Sequence, residues 1–499
     1  MMNIKSILAK PFAKRIAARI YKQSKNAVKV QQKVFENLIA QAQNTTFGRD
    51  HNFSKIKSYE DFKKQVPIRD YEALKPYIEK VVAGESDVLW KGKPLYFAKT
   101  SGTTSGVKYI PLTKESMPMH ISAARNALLM YIAETKKADF VNGKMIFLQG
   151  SPELKEKNGI KTGRLSGIAA HYIPSYLTKN RLPSWETNCI EDWETKIEAI
   201  VDETINENMT VISGIPSWVQ MYFEKLVERS GKKVGDIFPN FNLFVYGGVN
   251  FEPYRNKFED LIGRKVDTIE LFPASEGFFA YQDSQNEKGM LLLVDNGMFY
   301  EFIPSEEFFE ENPTRISLAD VKIGINYVLI LNTNAGLWAY DIGDTIEFVS
   351  INPPRIKVTG RIKHFISAFG EHVIGSEVEN AINSQTAGTT IAINEFTVAP
   401  QITPENGLPY HEWFIEFDNK PEDLDDFARK IDVTLQQQNS YYFDLISGKI
   451  LRPLKITLIE KGGFNKYMKS IGKLGGQNKV PRLSNDRKIA DELIKFEEK

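Results

Sequence analysis

Pro94-Leu95-Tyr96-Phe97-Ala98-Lys99-Thr100 runs directly into Ser101-Gly102-Thr103-Thr104-Ser105-Gly106-Val107-Lys108. The first half is a short apolar run of strand length, and the second is dense in hydroxyls and glycine. Glycines let backbone amides approach an anion closely, and amides and hydroxyls together supply donors for phosphate oxygens. The spacing from Gly102 does not give the Walker pattern G-x-x-x-x-G-K-[ST]. Downstream, Thr113 reads as the N-cap of a long helix running through Ala133. A strand, an anion-cradling loop and a helix in that order point to an α/β architecture with a bound phosphate.

The rest of the chain agrees with that class. Met145–Leu148, Thr210–Ile215, Leu243–Tyr246 and Thr268–Phe272 are apolar and strand-length. Helical stretches separate most of them, including Trp193–Asn206 and Ser217–Ser230, the latter opened by Pro216. Continuous apolar strands alternating with helices imply sheets covered on both faces. Beyond about residue 290 the texture becomes antiparallel. Met290–Asp295 and Met298–Ile303 flank Asn296-Gly297, a hairpin signal, and Tyr327–Leu331 and Leu337–Tyr340 flank a second turn. After Gly360-Arg361 a mixed α/β pattern resumes. The expected organisation is a large domain over residues 1–361, covered sheets plus a small antiparallel sub-domain, and a smaller mobile α+β domain over 362–499.

At 499 residues the chain exceeds a single small core. Its net charge of +1 gives no global case for nucleic acid. Cys189 is the only cysteine, so no disulfide forms within the chain and a cytoplasmic setting is expected. No apolar run reaches the roughly 20 residues that span a bilayer. The first 33 residues carry Lys5, Lys10, Lys14, Arg15, Arg19, Lys22, Lys25, Lys29 and Lys33 with no acid. A membrane-surface helix or a targeting peptide would look similar. The unbroken helical period through Val30, Val34, Leu38 and Ile39 favours a helix packed on the body. The six histidines show no metal-ligand spacing, and Cys189 reads as a small buried hydrophobe. Arg125 reads as a helix-surface arginine, with pairing to a substrate carboxylate as the alternative.

Three further motifs carry chemistry. Phe272-Pro273-Ala274-Ser275-Glu276 ends an apolar strand, where ligands of open α/β sheets bind, so Glu276 is placed to hold Mg²⁺ against a phosphate. Tyr340-Asp341-Ile342-Gly343-Asp344 follows a strand, and Asp344 is the kind of acceptor that fixes two ribose hydroxyls. Gly475-Gly476-Gln477-Asn478-Lys479-Val480-Pro481-Arg482 is a glycine-bearing loop able to deliver a cation into a site. Each alone also reads as ordinary loop or turn chemistry.

In this order the pieces resemble the adenylate-forming superfamily, and within it the auxin-responsive (Gretchen Hagen 3) acyl acid–amido synthetases. The closer resemblance spans nearly the whole chain. It includes Asn44–Phe53, Glu60-Asp61-Phe62 to Val66-Pro67-Ile68, Ala98–Gly106 and Tyr246-Gly247-Gly248-Val249-Asn250. The resemblance implies ATP and Mg²⁺ as cofactors, a small carboxylic acid and an amine (an amino acid) as substrates, and a monomer. It assigns Ser101, Gly102, Thr103, Thr104, Gly106 and Lys108 to the ATP phosphates and Gly247 and Gly248 to a wall beside adenine. Ser275 and Glu276 fall to the metal motif, with Glu276 on Mg²⁺. Asp344 falls to ribose and Lys479 to the adenylating phosphate. Lys363 occupies the hinge position. Two departures stand out: Phe272 where tyrosine is usual, and Asp341 where arginine is common. Transfer to a thiol such as coenzyme A, or a non-catalytic nucleotide-binding scaffold, are the rival expectations.

Overall fold

The computed structural model of the chain describes residues 4–100, 108–173, 179–248, 251–362, 365–366, 371, 373–447, 450–475 and 478–498. Among these the chain forms two compact units. One takes in Met1–Ile215, Phe238–Gly248 and Val266–Val358. The other takes in Pro216–Ile237, Val249–Lys265 and Thr359–Lys499.

The first unit is organised on an 11-stranded sheet. Its parallel half runs, side by side, through Asp267–Ala274, Leu243–Gly247, Met209–Ser213, Lys144–Phe147 and Arg181–Leu182. Met209, Thr210, Val211 and Ile212 are all buried, the continuous pattern expected of a strand covered on both faces. Helix Met117–Thr135 and the N-terminal helix Ile4–Ser24 supply one cover. Ala13, Ile16, Ala17 and Ile20 pack with Ala123, Ala127, Met130, Val211, Leu243 and Ile269. Each large apolar side chain so buried contributes about 1.5–3 kcal/mol relative to exposure. The basic N-terminal segment is therefore a packed helix, with its lysines outside. It breaks at Lys25-Asn26 before resuming over Ala27–Ala42, so the helical period is not continuous.

Two local expectations are corrected. The long helix starts at Met117, not after Thr113, and follows a strand, Lys108–Leu112, antiparallel to Tyr96–Thr100. Thr113 and Ser116 then close a reciprocal turn, each hydroxyl accepting from the other's backbone N–H. The Asn296-Gly297 turn makes no hairpin. Met290–Leu292 pairs with Gly277–Tyr281 and Pro354–Arg361, whereas Met298–Pro304 pairs with Asn326–Thr333. The Gln31 side chain occupies the gap, donating to the carbonyls of Val294 and Met298 and accepting from Tyr300 N–H. The second turn does join paired antiparallel strands, Asn326–Thr333 and Tyr340–Ile351. These antiparallel strands continue the large sheet.

The second unit centres on a 3-stranded sheet of Ala392–Gln401, Tyr410–Asn419 and Lys455–Leu458. Helices Gly375–Thr386 and Leu424–Gln438 pack on it through Val378, Ile382, Phe427, Ile431 and Leu435. Among the described residues no helix is long and apolar enough to cross a membrane.

Candidate active site

Strand Asp267–Ala274 returns as Gly277–Tyr281 with Ala274 opposite Gly277. Ser275 and Glu276 are therefore the two residues of a tight turn, held at a strand end by the ladder on either side. Ser275 is buried. Behind the turn, Gly247 pairs with Leu271 in the neighbouring parallel strand. A Cβ at Gly247 would stand 2.5 Å from the Leu271 carbonyl oxygen, so only glycine permits this approach. Gly248, at φ +85°, turns the chain out of the sheet.

Tyr340 is fully buried, and its phenol lies well above the ordinary range. Burial is the largest cause, followed by the carboxylates of Glu276 and Asp341 and then Tyr71 and Asp70. Glu276 thus sits within electrostatic reach of the start of the strand that carries Asp344. Tyr71 extends the group: its hydroxyl accepts from Tyr109 N–H at 2.9 Å, and Lys108 Nζ lies 5.3 Å from its ring centre. Lys108 and Glu276 are in this way brought to one neighbourhood by two tyrosines.

Asp344 owes its setting to a bulge. Asp341 pairs with Ile330 and Thr345 with Val328, so Ile342, Gly343 and Asp344 are displaced from the regular ladder. Bulges of this kind re-aim a side chain. Gly343 takes φ +81°, and its N–H donates to Asp341 Oδ1 at 2.7 Å. Asp341, the departure from the expected arginine, is buried and serves this turn.

Lys479 belongs to the second unit. It is exposed, at the rim of a cavity of about 160 Å³ also lined by Glu395, Glu416, Lys461 and Asn478. Three residues on, Arg482 is bound by Glu379, Glu395 and the Tyr254 hydroxyl. Burial alone would lower the Arg482 pKa. Glu395, then Tyr254 and Glu379, outweigh it and hold the guanidinium above its ordinary value. Ser101, Gly102, Thr103, Thr104 and Gly106, like Lys363, lie outside the described residues. Tyr71 and Tyr254 were not singled out from the sequence, since nothing local marks a tyrosine whose partner is distant in the chain. Arg482 was legible only as the end of a motif.

Family models match most of the chain. The GH3 family N-terminal domain matches residues 16–189 and 177–266, the central domain residues 291–361, and the C-terminal domain residues 376–488. The chain belongs to the GH3 family. Among its curated GH3 relatives is the jasmonoyl–L-amino acid synthetase JAR4 of Nicotiana attenuata. It is 19% identical, and the alignment covers 92% of this chain and 91% of that protein. The indole-3-acetic acid-amido synthetase GH3.3 of Arabidopsis thaliana is 21% identical over 93% of this chain and 90% of its own. In fold, the chain is similar to the GH3.15 acyl acid amido synthetase in complex with 2,4-DB. There the TM-score is 0.80 and the identity 17%, covering 98% of this chain and 96% of the other. A 2-hydroxyisobutyryl-CoA ligase shares the fold at a TM-score of 0.55 and 13% identity, covering 95% and 90% of the two chains. The GH3 central-domain match ends at Arg361, immediately before the expected hinge.

Proposed function

We propose that this GH3 chain is an ATP- and Mg²⁺-dependent ligase that activates a carboxylic acid as its acyl-adenylate and transfers the acyl group to an amine, an amino acid, forming an amide. The observation that carries the reading is the strand-end turn of Glu276 beside Tyr340, which leads into the bulge bearing Asp344. The relatives named as amido synthetases support the same reading. The donor set suits the metal, because Mg²⁺ commonly takes one or two protein carboxylates and completes its shell with water and phosphate oxygens. Glu276 would be that carboxylate, and bound Mg²⁺ would supply neutralising charge at the phosphates.

The remaining roles follow from charge and shape. Attack of a carboxylate on the α-phosphorus brings two anions together, so positioned positive charge lowers the barrier. Lys479 supplies it at the reacting phosphate. Lys108, with Ser101, Gly102, Thr103, Thr104 and Gly106, holds the outer phosphates. Gly247 and Gly248 leave a flat backbone wall for adenine, with Ser275 beside the metal carboxylate. Asp344 accepts from the ribose hydroxyls. Amide formation then requires Lys479 to withdraw, and we place the turning point at Lys363.

Acid-dependent ATP–pyrophosphate exchange with a panel of carboxylic acids tests the first half-reaction. Supplying amino acids or coenzyme A to the same preparation tests the second, with amide expected from amino acids. Thioester alone would replace the acceptor, and absence of exchange with every acid would favour the scaffold reading. Glu276→Gln should raise the Mg²⁺ needed for half-maximal exchange. An unshifted titration at full activity would remove Glu276 from the metal.

A further inference from the structure

Lys479 is exposed, four residues after Gly475, which has φ +75°. A lysine is a point charge on a flexible stem and holds no position by itself. To act on one phosphate oxygen it has to be presented by something rigid, because a misplacement of about 1 Å can cost on the order of 10²-fold in rate.

The chain becomes rigid directly after it. Val480 is buried, and the Pro481 carbonyl accepts from Thr397 Oγ1 at 2.7 Å. Val398 N–H donates to the Arg482 carbonyl at 2.9 Å, and Ser484 N–H returns to the Val398 carbonyl at 2.9 Å. The Arg482 side chain fixes the same point from the other side. It donates to Glu379 at 3.3 Å, to Glu395, to the Phe396 carbonyl at 3.3 Å and to the Tyr254 hydroxyl. The Tyr254 hydroxyl in turn donates to Glu395 at 2.8 Å. The guanidinium also stacks over Phe396, 4.5 Å from its ring centre.

Charge gives the cluster a second consequence. Arg482 is the base shared by Glu379 and Glu395, and Glu395 lines the same cavity as Lys479. With Arg482 in place, Glu395 is occupied. Without it, Glu395 would keep the Tyr254 hydroxyl and the Phe396 N–H, and its uncompensated charge in the shared cavity would compete with phosphate for the ammonium.

We infer that Arg482 is a positioning residue for Lys479: it pins the end of the lysine loop and keeps Glu395 from capturing the lysine. The inference rests on the reading of Lys479 proposed above. Acid-dependent pyrophosphate exchange on folded variants, matched by thermal midpoint and circular dichroism, separates the two. Arg482→Gln should lower kcat on the order of 10²-fold while leaving KM for ATP within about twofold of the native value. Combined with Lys479→Ala, it should cost nothing beyond Lys479→Ala alone, because the arginine acts through the lysine. Adding Glu395→Gln to Arg482→Gln should restore part of the lost kcat, which a merely structural role would not do. If Arg482→Gln does not fold, Tyr254→Phe keeps every charge and should give a milder loss of about fivefold, again absent in the Lys479→Ala background. Losses that multiply in the double variants, or a second loss on adding Glu395→Gln, overturn the positioning role while leaving Lys479 in place. Normal exchange by Lys479→Ala instead overturns the lysine reading, and this inference with it.

Discussion

Each unit contains an arginine whose side chain is largely covered and which sits in a cluster with carboxylate and tyrosine, and the two clusters have different neighbours. In the first unit Glu301, fully buried on an edge strand, accepts from Arg315 at 2.7 Å, Tyr59 at 2.9 Å and Asn332 at 2.8 Å. Arg315 Nη1 donates to the carbonyls of Val66 at 2.7 Å and Lys63 at 3.4 Å. Every group there is satisfied inside the fold. In the second unit Arg482 gathers two carboxylates and a tyrosine three residues from the exposed Lys479. The chemistry is alike. What differs is the neighbour, core packing in one case and a solvent-facing cation in the other. A buried ion cluster is thus by itself no sign of a functional site, and what lies beside it has to be read with it.

That contrast can be broken by experiment. Glu301→Ala leaves the largely covered Arg315 guanidinium without its carboxylate, and should lower unfolding stability by about 3–5 kcal/mol. Exchange kinetics per folded molecule should stay native, and chemical denaturation alongside kcat checks both halves. Lys479→Ala should do the reverse: a fall of about 10²–10³ in pyrophosphate exchange, roughly 3–4 kcal/mol of barrier, with ATP binding and stability kept. A stability loss with native exchange would reverse the two assignments.

A third test concerns a buried titrating group outside both clusters. His120 lies in the core face of helix Met117–Thr135, its Nδ1 has no partner among the described residues, and burial lowers its pKa from 6.5 to about 4. Below pH 6.5 the unfolded chain takes a proton that the folded chain refuses. Stability therefore falls as pH drops from 6.5 towards 4, by up to about 3 kcal/mol from this residue. His120→Gln should flatten that part of the thermal-midpoint profile, and an unchanged profile would show the ring to be solvated. The smallest effect is expected at Lys461, which shares the Lys479 cavity but is largely exposed and pairs with Asp418 at 2.9 Å. Lys461→Ala should change stability by less than about 1 kcal/mol. A loss of exchange comparable to that of Lys479→Ala would move the phosphate cation to Lys461.

The sequence made the parallel strands, the packed basic helix and the Ser275-Glu276 strand end legible, because apolar runs and turn residues act locally. It misread Asn296-Gly297 as a hairpin because the Gln31 side chain that separates the two strands comes from 267 residues away from Met298. It gave no hint of the Arg482 cluster for the same reason. Tyr254, Glu379 and Glu395 lie 228, 103 and 87 residues from the arginine. The bulge at Asp344 was half legible. Gly343 announced a turn, but only the register against Val328 and Ile330 shows three residues displaced from the ladder.

The second unit is assembled from three stretches of chain, and the polypeptide passes from one unit to the other after Ile215, Ile237, Gly248, Lys265 and Val358. A protease cut or a cloning boundary at Thr359 would therefore not release a finished body. The fragment would lack Tyr254, the partner of Arg482. It would lack Asn256, whose amide donates to the carbonyls of Thr386, Thr389 and Ile391. It would also lack Lys257, the buried partner of Asp418 at 2.6 Å. Such a fragment would expose unpaired carbonyls and carboxylates where the whole chain has bonds, so it should express poorly on its own. A stable excised piece would have to carry residues 216–237 and 249–265 with it, joined by designed linkers.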